Sequence, residues 1–197
     1  MALTAPPLDS TILTQLREQG LLREGHFRYR SGRHSALLLD RDRLLADPQA
    51  ASRMGYALAR AFFTNKIDTV ASPSVWGAGL AQWVAYFLEP RAKVVYATPL
   101  ANGTQRIAAN LHDMIDGKRV LLIDNLMLSG ETMVAFDEEI SALGGEVIGV
   151  GCLWVGADQV PHAREVFGLL NSHYPAYTPD TCHFCREGHD QIETIPY

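Results

Sequence analysis

The stretch Arg119-Val120-Leu121-Leu122-Ile123-Asp124-Asn125-Leu126-Met127-Leu128-Ser129-Gly130-Glu131-Thr132 constrains the fold more than any other part of the chain. Its apolar run, residues 120–123, predicts a strand buried on both faces, the usual state in a parallel sheet. An acid follows, then a short loop ending Ser-Gly-Glu-Thr, then Met133, Val134, Phe136, Ile140 and Leu143 at helical spacing. Strand, loop and helix N-terminus in that order make an anion site, because open N–H groups and the helix dipole both favour negative charge. Gly130 permits close backbone approach, Ser129 and Thr132 add hydroxyls, and Asp124 at the strand's carboxyl end is placed to hold sugar hydroxyls. A sugar phosphate is the ligand this order suggests. A plain βα turn capped by Ser129 fits the local spacing almost as well.

The rest of the chain supports a parallel α/β sheet. Asp9-Ser10 caps a helix through Ile12, Leu13 and Leu16 that stops near Gly20. Residues 25–30 alternate aromatic and basic side chains as a half-buried strand, Ser31-Gly32 turns, and residues 34–39 return as a second strand. Asp47-Pro48 starts a helix carrying Met54, Ala57, Leu58, Ala61 and Phe62 on one face and ending near Asn65. Strands are expected at 67–71, 93–97 and 147–154, with a loop at 72–79, an apolar helix at 80–88 and a polar segment at 99–110. Strands alternating with helices at this spacing mean right-handed crossovers, with ligands at the strands' carboxyl ends.

Composition narrows the function. A chain of 197 residues, 47% hydrophobic and 20% charged, is expected to form one domain with a sizeable core. A net charge of −5 argues against nucleic acid as a partner, although six of the 17 Lys and Arg residues fall within 23–43, where they serve a phosphate or form a solvated face. No apolar run reaches the ~18 residues needed to span a bilayer, and residues 1–8, with Pro6-Pro7 and no basic start, do not read as a signal peptide. Three cysteines, an odd number, suit a reducing cytoplasm. Cys152, in an apolar strand, reads as a buried thiol. Trp83 and Tyr86 read as core or subunit contacts, and His112-Asp113 as part of a surface loop.

The central stretch resembles the phosphoribosyl-diphosphate signature of the type I phosphoribosyltransferases, with Asp124-Asn125 as the acidic pair and 126–132 as the loop. The second acid and one loop hydroxyl of that signature are replaced here by Asn125 and Leu128. The resemblance widens to nearly the whole chain. Residues 26–35, with Phe27, Arg33, His34 and Ser35, are similar to the N-terminal hood that covers the base in orotate phosphoribosyltransferases. Ser74-Val75-Trp76-Gly77 sits where the pyrophosphate loop should be, and 101–106, with Arg106, where the mobile catalytic loop should be. The ending Cys182-His183-Phe184-Cys185-Arg186-Glu187-Gly188 is similar to the Cys-x-x-Cys-x-x-Gly tail of one bacterial branch.

The resemblance implies a type I phosphoribosyltransferase fold, a central parallel sheet with a small hood. The hood would comprise about 20–45 plus the tail 172–197, on a core of 48–171. It implies transfer of ribose 5-phosphate from phosphoribosyl diphosphate to a base, orotate first, with Mg²⁺ arriving on the substrate and a homodimer whose mobile loop reaches into the neighbouring site. Asp124 and Arg106 would be catalytic. Asp124, Asn125, Ser129, Gly130, Glu131 and Thr132 would bind the phosphoribosyl group or a nucleoside monophosphate. Departures at Asn125, Leu128, Trp76 (whose ring would crowd phosphate-binding N–H groups) and Gly156 (where the family grips orotate with an Arg) imply weak turnover on orotate. A catalytically impaired sensor of nucleotides or sugar phosphates is the alternative. Cys182 and Cys185, with His183 and His189 nearby, are ligand types that zinc accepts, but the family's tail carries its Cys pair without needing a metal, so zinc is not expected.

Overall fold

The computed structural model describes residues 10–99, 105–155, 164–171, 176–188 and 191–195. In chain order, α1 (Ser10–Glu18) leads into the hairpin β1 (Leu22–Arg28) and β2 (His34–Leu39), then α2 (Arg41–Ala46) and α3 (Pro48–Ala61). Next come β3 (Thr69–Ser72), α4 (Val75–Phe87), β4 (Lys93–Tyr96), and the short pair β5 (Thr98–Pro99) and β6 (Gln105–Arg106). A 3-10 turn (Ala109–Met114) precedes β7 (Arg119–Met127), α5 (Glu131–Ala142), β8 (Glu146–Val155) and β9 (Val166–Asn171). The tail supplies α6 (His183–Arg186) and β10 (Glu193–Thr194).

Strands β4-β3-β7-β8-β9 form one sheet in that order, and every adjacent pair is parallel. The expected α/β architecture is therefore present, with the predicted central strand in the middle position. Alternation along β7 explains its unbroken apolar run. Leu121 and Ile123 face one core with Leu58, Leu80 and Val84, while Val120 and Leu122 face a second core with Phe136 and Ile140. Helices α3 and α4 thus cover one face and α5 the other.

Several boundaries differ from expectation for local reasons. Asp47 caps α3 as predicted, its carboxylate accepting from the Gln49 N–H at 3.0 Å with Pro48 at the first turn. Helix α2 was not anticipated. Its signal was Asp40, whose side chain accepts from the Arg43 N–H at 3.0 Å. Helix α4 starts at Val75, inside the expected loop, where Gly77 lets the first turn lie against Ser72 at the end of β3. Strand β7 runs on to Met127, shortening the loop before α5, and β9 adds an edge strand the pattern at 67–154 did not include.

The second sheet, ordered β10-β1-β2, joins the two ends of the chain. Strand β10 pairs parallel to β1, and Tyr177 exchanges both backbone hydrogen bonds with His34 at 2.8 Å. A bulge between Glu24 and Phe27 lets the consecutive residues His26 and Phe27 both turn inward. No helix among the described residues is long and apolar enough to cross a membrane.

Candidate functional site

The carboxyl ends of the parallel strands open into a cavity of about 340 Å³ beneath the small sheet. Asp124 of β7, the loop residues Leu128, Ser129 and Gly130, and Glu131 and Thr132 of α5 form one side. Tyr29, Ser31 and Arg33 from the β1–β2 hairpin, Arg41 of α2 and Ala176 of the tail form the other. The first turn of α5 carries no side-chain cap. Gly130, not Ser129, is the cap residue, and its φ of 82° is one that a side chain would strain. The Met133 and Val134 N–H groups both bond the Gly130 carbonyl at 3.0 Å, which leaves those of Glu131 and Thr132 for an anion in the cavity.

Asp124 is half-buried, and burial pushes its carboxyl up to about 6, against partial relief from the Asn125 N–H at 2.7 Å and the charge of Arg41. Across the ladder from Asp124 is Cys152, fully buried, whose thiol is pushed up by burial and by that carboxylate. It is the inert core thiol that its apolar strand implied.

Asp124, Ser129, Gly130, Glu131 and Thr132 are brought together as the sequence led one to expect. Asn125 is not among them. Its side chain is fully buried and does not line the cavity, with Nδ2 donating to the Trp76 carbonyl at 2.9 Å. Both side chains approach the first turn of α4, Asp124 Oδ1 lying 3.5 Å from where a Cβ on Gly77 would stand, but of the two Asp124 alone lines the cavity. Asn125 Oδ1 has no hydrogen-bond partner among the described residues.

The expected pyrophosphate loop is also rearranged. Ser74 stands at the cap position of α4 without a side-chain cap bond, and Val75, Trp76 and Gly77 form its first turn, with the Gly77 N–H bonded to the Ser74 carbonyl at 3.2 Å. None of the four lines the cavity. Gly77 is held to a bare backbone, since a Cβ there would lie 2.2 Å from Ser72 Oγ. The Trp76 ring does not crowd phosphate donors. It is 60% exposed, with the Arg41 guanidinium 5.9 Å from its centre.

Of Phe27, Arg33, His34 and Ser35, the hood residues expected to cover the base, Arg33 alone lines the cavity. Phe27 is core, and Ser35 is fully buried with its hydroxyl accepting from the Leu37 N–H at 3.1 Å. His34 points into a different cluster, its Nδ1 lying 3.0 Å from His26 Nε2. Arg106 is exposed at the end of β6 and does not line the cavity. Residues 101–104, Gly156 and His189 lie outside the described residues. Sequence reasoning missed Tyr29, Ser31 and Arg41, although the cluster of basic residues in 23–43 was the signal for Arg41.

Comparison with known proteins agrees with this geometry. The family model "Phosphoribosyl transferase domain" matches residues 40–172. The chain is 34% identical over 182 residues to an orotate phosphoribosyltransferase of Thermus thermophilus, covering 90% of this chain and 96% of that protein. An orotate phosphoribosyltransferase of Chlorobium phaeobacteroides is 27% identical over 184 residues, 93% of this chain and 91% of that one. Among solved structures, a phosphoribosyltransferase from Corynebacterium diphtheriae superposes with a TM-score of 0.65 at 18% identity, covering 82% of this chain and 94% of its own. The orotate phosphoribosyltransferase of Mycobacterium tuberculosis gives 0.63 at 16%, covering 81% and 94%. These two likenesses concern the fold.

Proposed function

Because the chain belongs to the phosphoribosyl transferase domain family, we propose that it transfers ribose 5-phosphate from phosphoribosyl diphosphate to a base, with orotate the first candidate. The observation that carries this is one cavity holding both an uncapped helix N-terminus and a half-buried carboxylate, with Arg33 and Arg41 facing them. The 5′-phosphate takes the N–H groups and hydroxyls of Ser129–Thr132. Asp124 holds the ribose hydroxyls, and the hairpin closes over the base. Arg33, in a planar donor geometry suited to carboxylates, is the group that grips an acidic base. Mg²⁺ is usually held by one or two carboxylates together with substrate phosphates, and Asp124 and Glu131 offer that donor set. When bound, it would supply charge to the departing pyrophosphate.

Two observations favour a second reading, a sensor that binds the phosphoribosyl group with little turnover. Asn125 is withdrawn from the cavity, and Arg106 stands outside it. One experiment separates the two readings. Orotate consumption is measured with phosphoribosyl diphosphate and Mg²⁺, beside thermal shifts with phosphoribosyl diphosphate, ribose 5-phosphate and nucleoside monophosphates. Turnover lost in Asp124→Ala supports the transferase. Thermal shifts without turnover support the sensor, and the absence of both defeats each.

We further infer a homodimer in the cytoplasm. An exposed aromatic face on α3 and α4 supports the dimer, with Tyr56 46% and Tyr86 54% exposed around Phe87. Three cysteines outside any disulfide suit a reducing compartment. Light scattering at micromolar concentration is expected to read twice the chain mass of 21.7 kDa, and a stable monomer would remove the dimer. Nucleic acid is not expected as a partner, given the charge of −5.

A further inference from the structure

We propose that His26, His34, Cys182 and Cys185 bind one zinc ion that pins the tail of the chain to the hood hairpin. One potential ligand atom from each of these four side chains lies within 4.8 Å of every other. The individual separations are His26 Nε2 to His34 Nδ1 3.0 Å, Cys182 Sγ to His26 Nε2 3.5 Å, Cys185 Sγ to His26 Nε2 3.6 Å and Cys185 Sγ to His34 Nδ1 3.3 Å. Zinc bonds of ~2.0–2.1 Å to nitrogen and ~2.3 Å to sulfur in a tetrahedron place ligand atoms about 3.3–3.8 Å apart. Three of those four separations fall in that range, the His26–His34 edge is shorter at 3.0 Å, and the other two edges are within 4.8 Å.

Hydrogen bonding alone accounts poorly for the same arrangement. His26 Nε2 has three polar neighbours within 3.6 Å. One imidazole nitrogen carries either a single hydrogen or a single lone pair, so it satisfies one of them well and the others badly. A shared cation at the centre satisfies all four donors together. Two thiolates and two imidazoles in tetrahedral array are the donor set zinc prefers. All four positions would be filled by protein, which leaves no open coordination place and makes the site structural.

The local structure is built for the purpose. The bulge in β1 turns His26 inward beside Phe27, and His34 begins β2 directly across the hairpin. Cys182 is the cap residue of α6 and Cys185 lies within it, so the short spacing brings both sulfurs to one side of a single turn. The Gly188 N–H closes that turn on the Cys185 carbonyl at 3.2 Å. Packing sets the ring orientation, as Phe184 stacks on His26 with centroids 5.1 Å apart at 23°. His183, the histidine inside the Cys pair, is excluded. It faces Tyr177, with ring centroids 5.6 Å apart. The expectation that the tail pair stays free of metal considered the tail alone, and the two histidines come from about 150 residues upstream.

The site would brace the cavity from behind. Tyr29, Ser31 and Arg33 lie on the hairpin between His26 and His34, and Ala176 precedes the Tyr177 bridge. The test is made on the full chain, purified without a histidine tag. Elemental analysis is expected to find about one zinc per chain. The Cys182→Ser/Cys185→Ser double variant loses it, and His183→Ala keeps it. In the wild-type chain, two thiols become reactive only after zinc is chelated, while Cys152 stays protected and Tm falls. Cobalt added to the stripped wild-type chain gives the intense visible bands of a tetrahedral thiolate site, a readout that needs no variant to fold. A zinc-free protein whose Cys185 reacts at once and whose cobalt spectrum lacks those bands would overturn the proposal, as would iron in place of zinc.

Discussion

Asn125→Asp, the substitution that would complete the acidic pair, is expected to destabilise the protein and not to improve catalysis. The reason is where residue 125 points. Its side chain is fully buried and donates to the Trp76 carbonyl at 2.9 Å, so a carboxylate there would face that carbonyl with no hydrogen to offer. An uncompensated buried charge costs about 3–5 kcal/mol, and the Trp76 carbonyl would be left unsatisfied as well. For a chain of this length the fall in Tm is roughly 10 °C or more. Acidification should shrink the loss, because the protonated carboxyl regains a donor. Denaturant and thermal melts at pH 5 and pH 8 check this. A variant as stable as the parent with raised orotate turnover would mean that residue 125 reaches the cavity after all.

Asp124→Asn is expected to do the opposite to stability and to weaken the ligand. The Asp124 carboxyl is raised from 3.8 to about 6, chiefly by burial. Well below pH 3.8 it is protonated in both folded and unfolded chains and costs nothing. As pH rises toward 6, the unfolded chain releases its proton while the folded chain retains it, so stability is lost, and above pH 6 the loss is complete. That displacement corresponds to at most ~3 kcal/mol. The open, solvated cavity reduces it to roughly 1–2 kcal/mol. Asn keeps the shape and still accepts from the Asn125 N–H without carrying the charge. The variant should therefore melt several degrees above the parent at pH 8 and approach it as the pH falls below 3. Hydrogen bonds to a charged group contribute about 1.5–3 kcal/mol, so affinity for phosphoribosyl diphosphate should fall roughly 10–100-fold. An equal thermal shift by that ligand in parent and variant would remove Asp124 from the site.

These opposite expectations for adjacent residues come from their surroundings, Asp124 lining the cavity and Asn125 fully buried on the Trp76 carbonyl. Polar residues at the carboxyl end of β7 were visible in the sequence, but the pattern treated Asp124 and Asn125 as a pair acting on one ligand. In the folded chain Asp124 lines the cavity, whereas Asn125 is held by the Trp76 carbonyl.

The sequence by itself determined what local chemistry governs. The apolar run of β7 determined a strand buried on both faces. Asp47-Pro48 set the start of α3, and the order strand, acid, loop, Gly, Thr put a helix N-terminus beside Asp124. The tertiary structure decided whatever depended on residues distant in the chain. It selected Arg33 over Phe27, His34 and Ser35 as the hood residue in the cavity. It added Arg41 through a short helix and turned Trp76 outward against it. It also carried His26 and His34 to Cys182 and Cys185. Spacing along a chain fixes which face of its own element a side chain occupies. Only the pairing of β1, β2 and β10, ends of the chain brought into one sheet, fixes which distant side chain it meets.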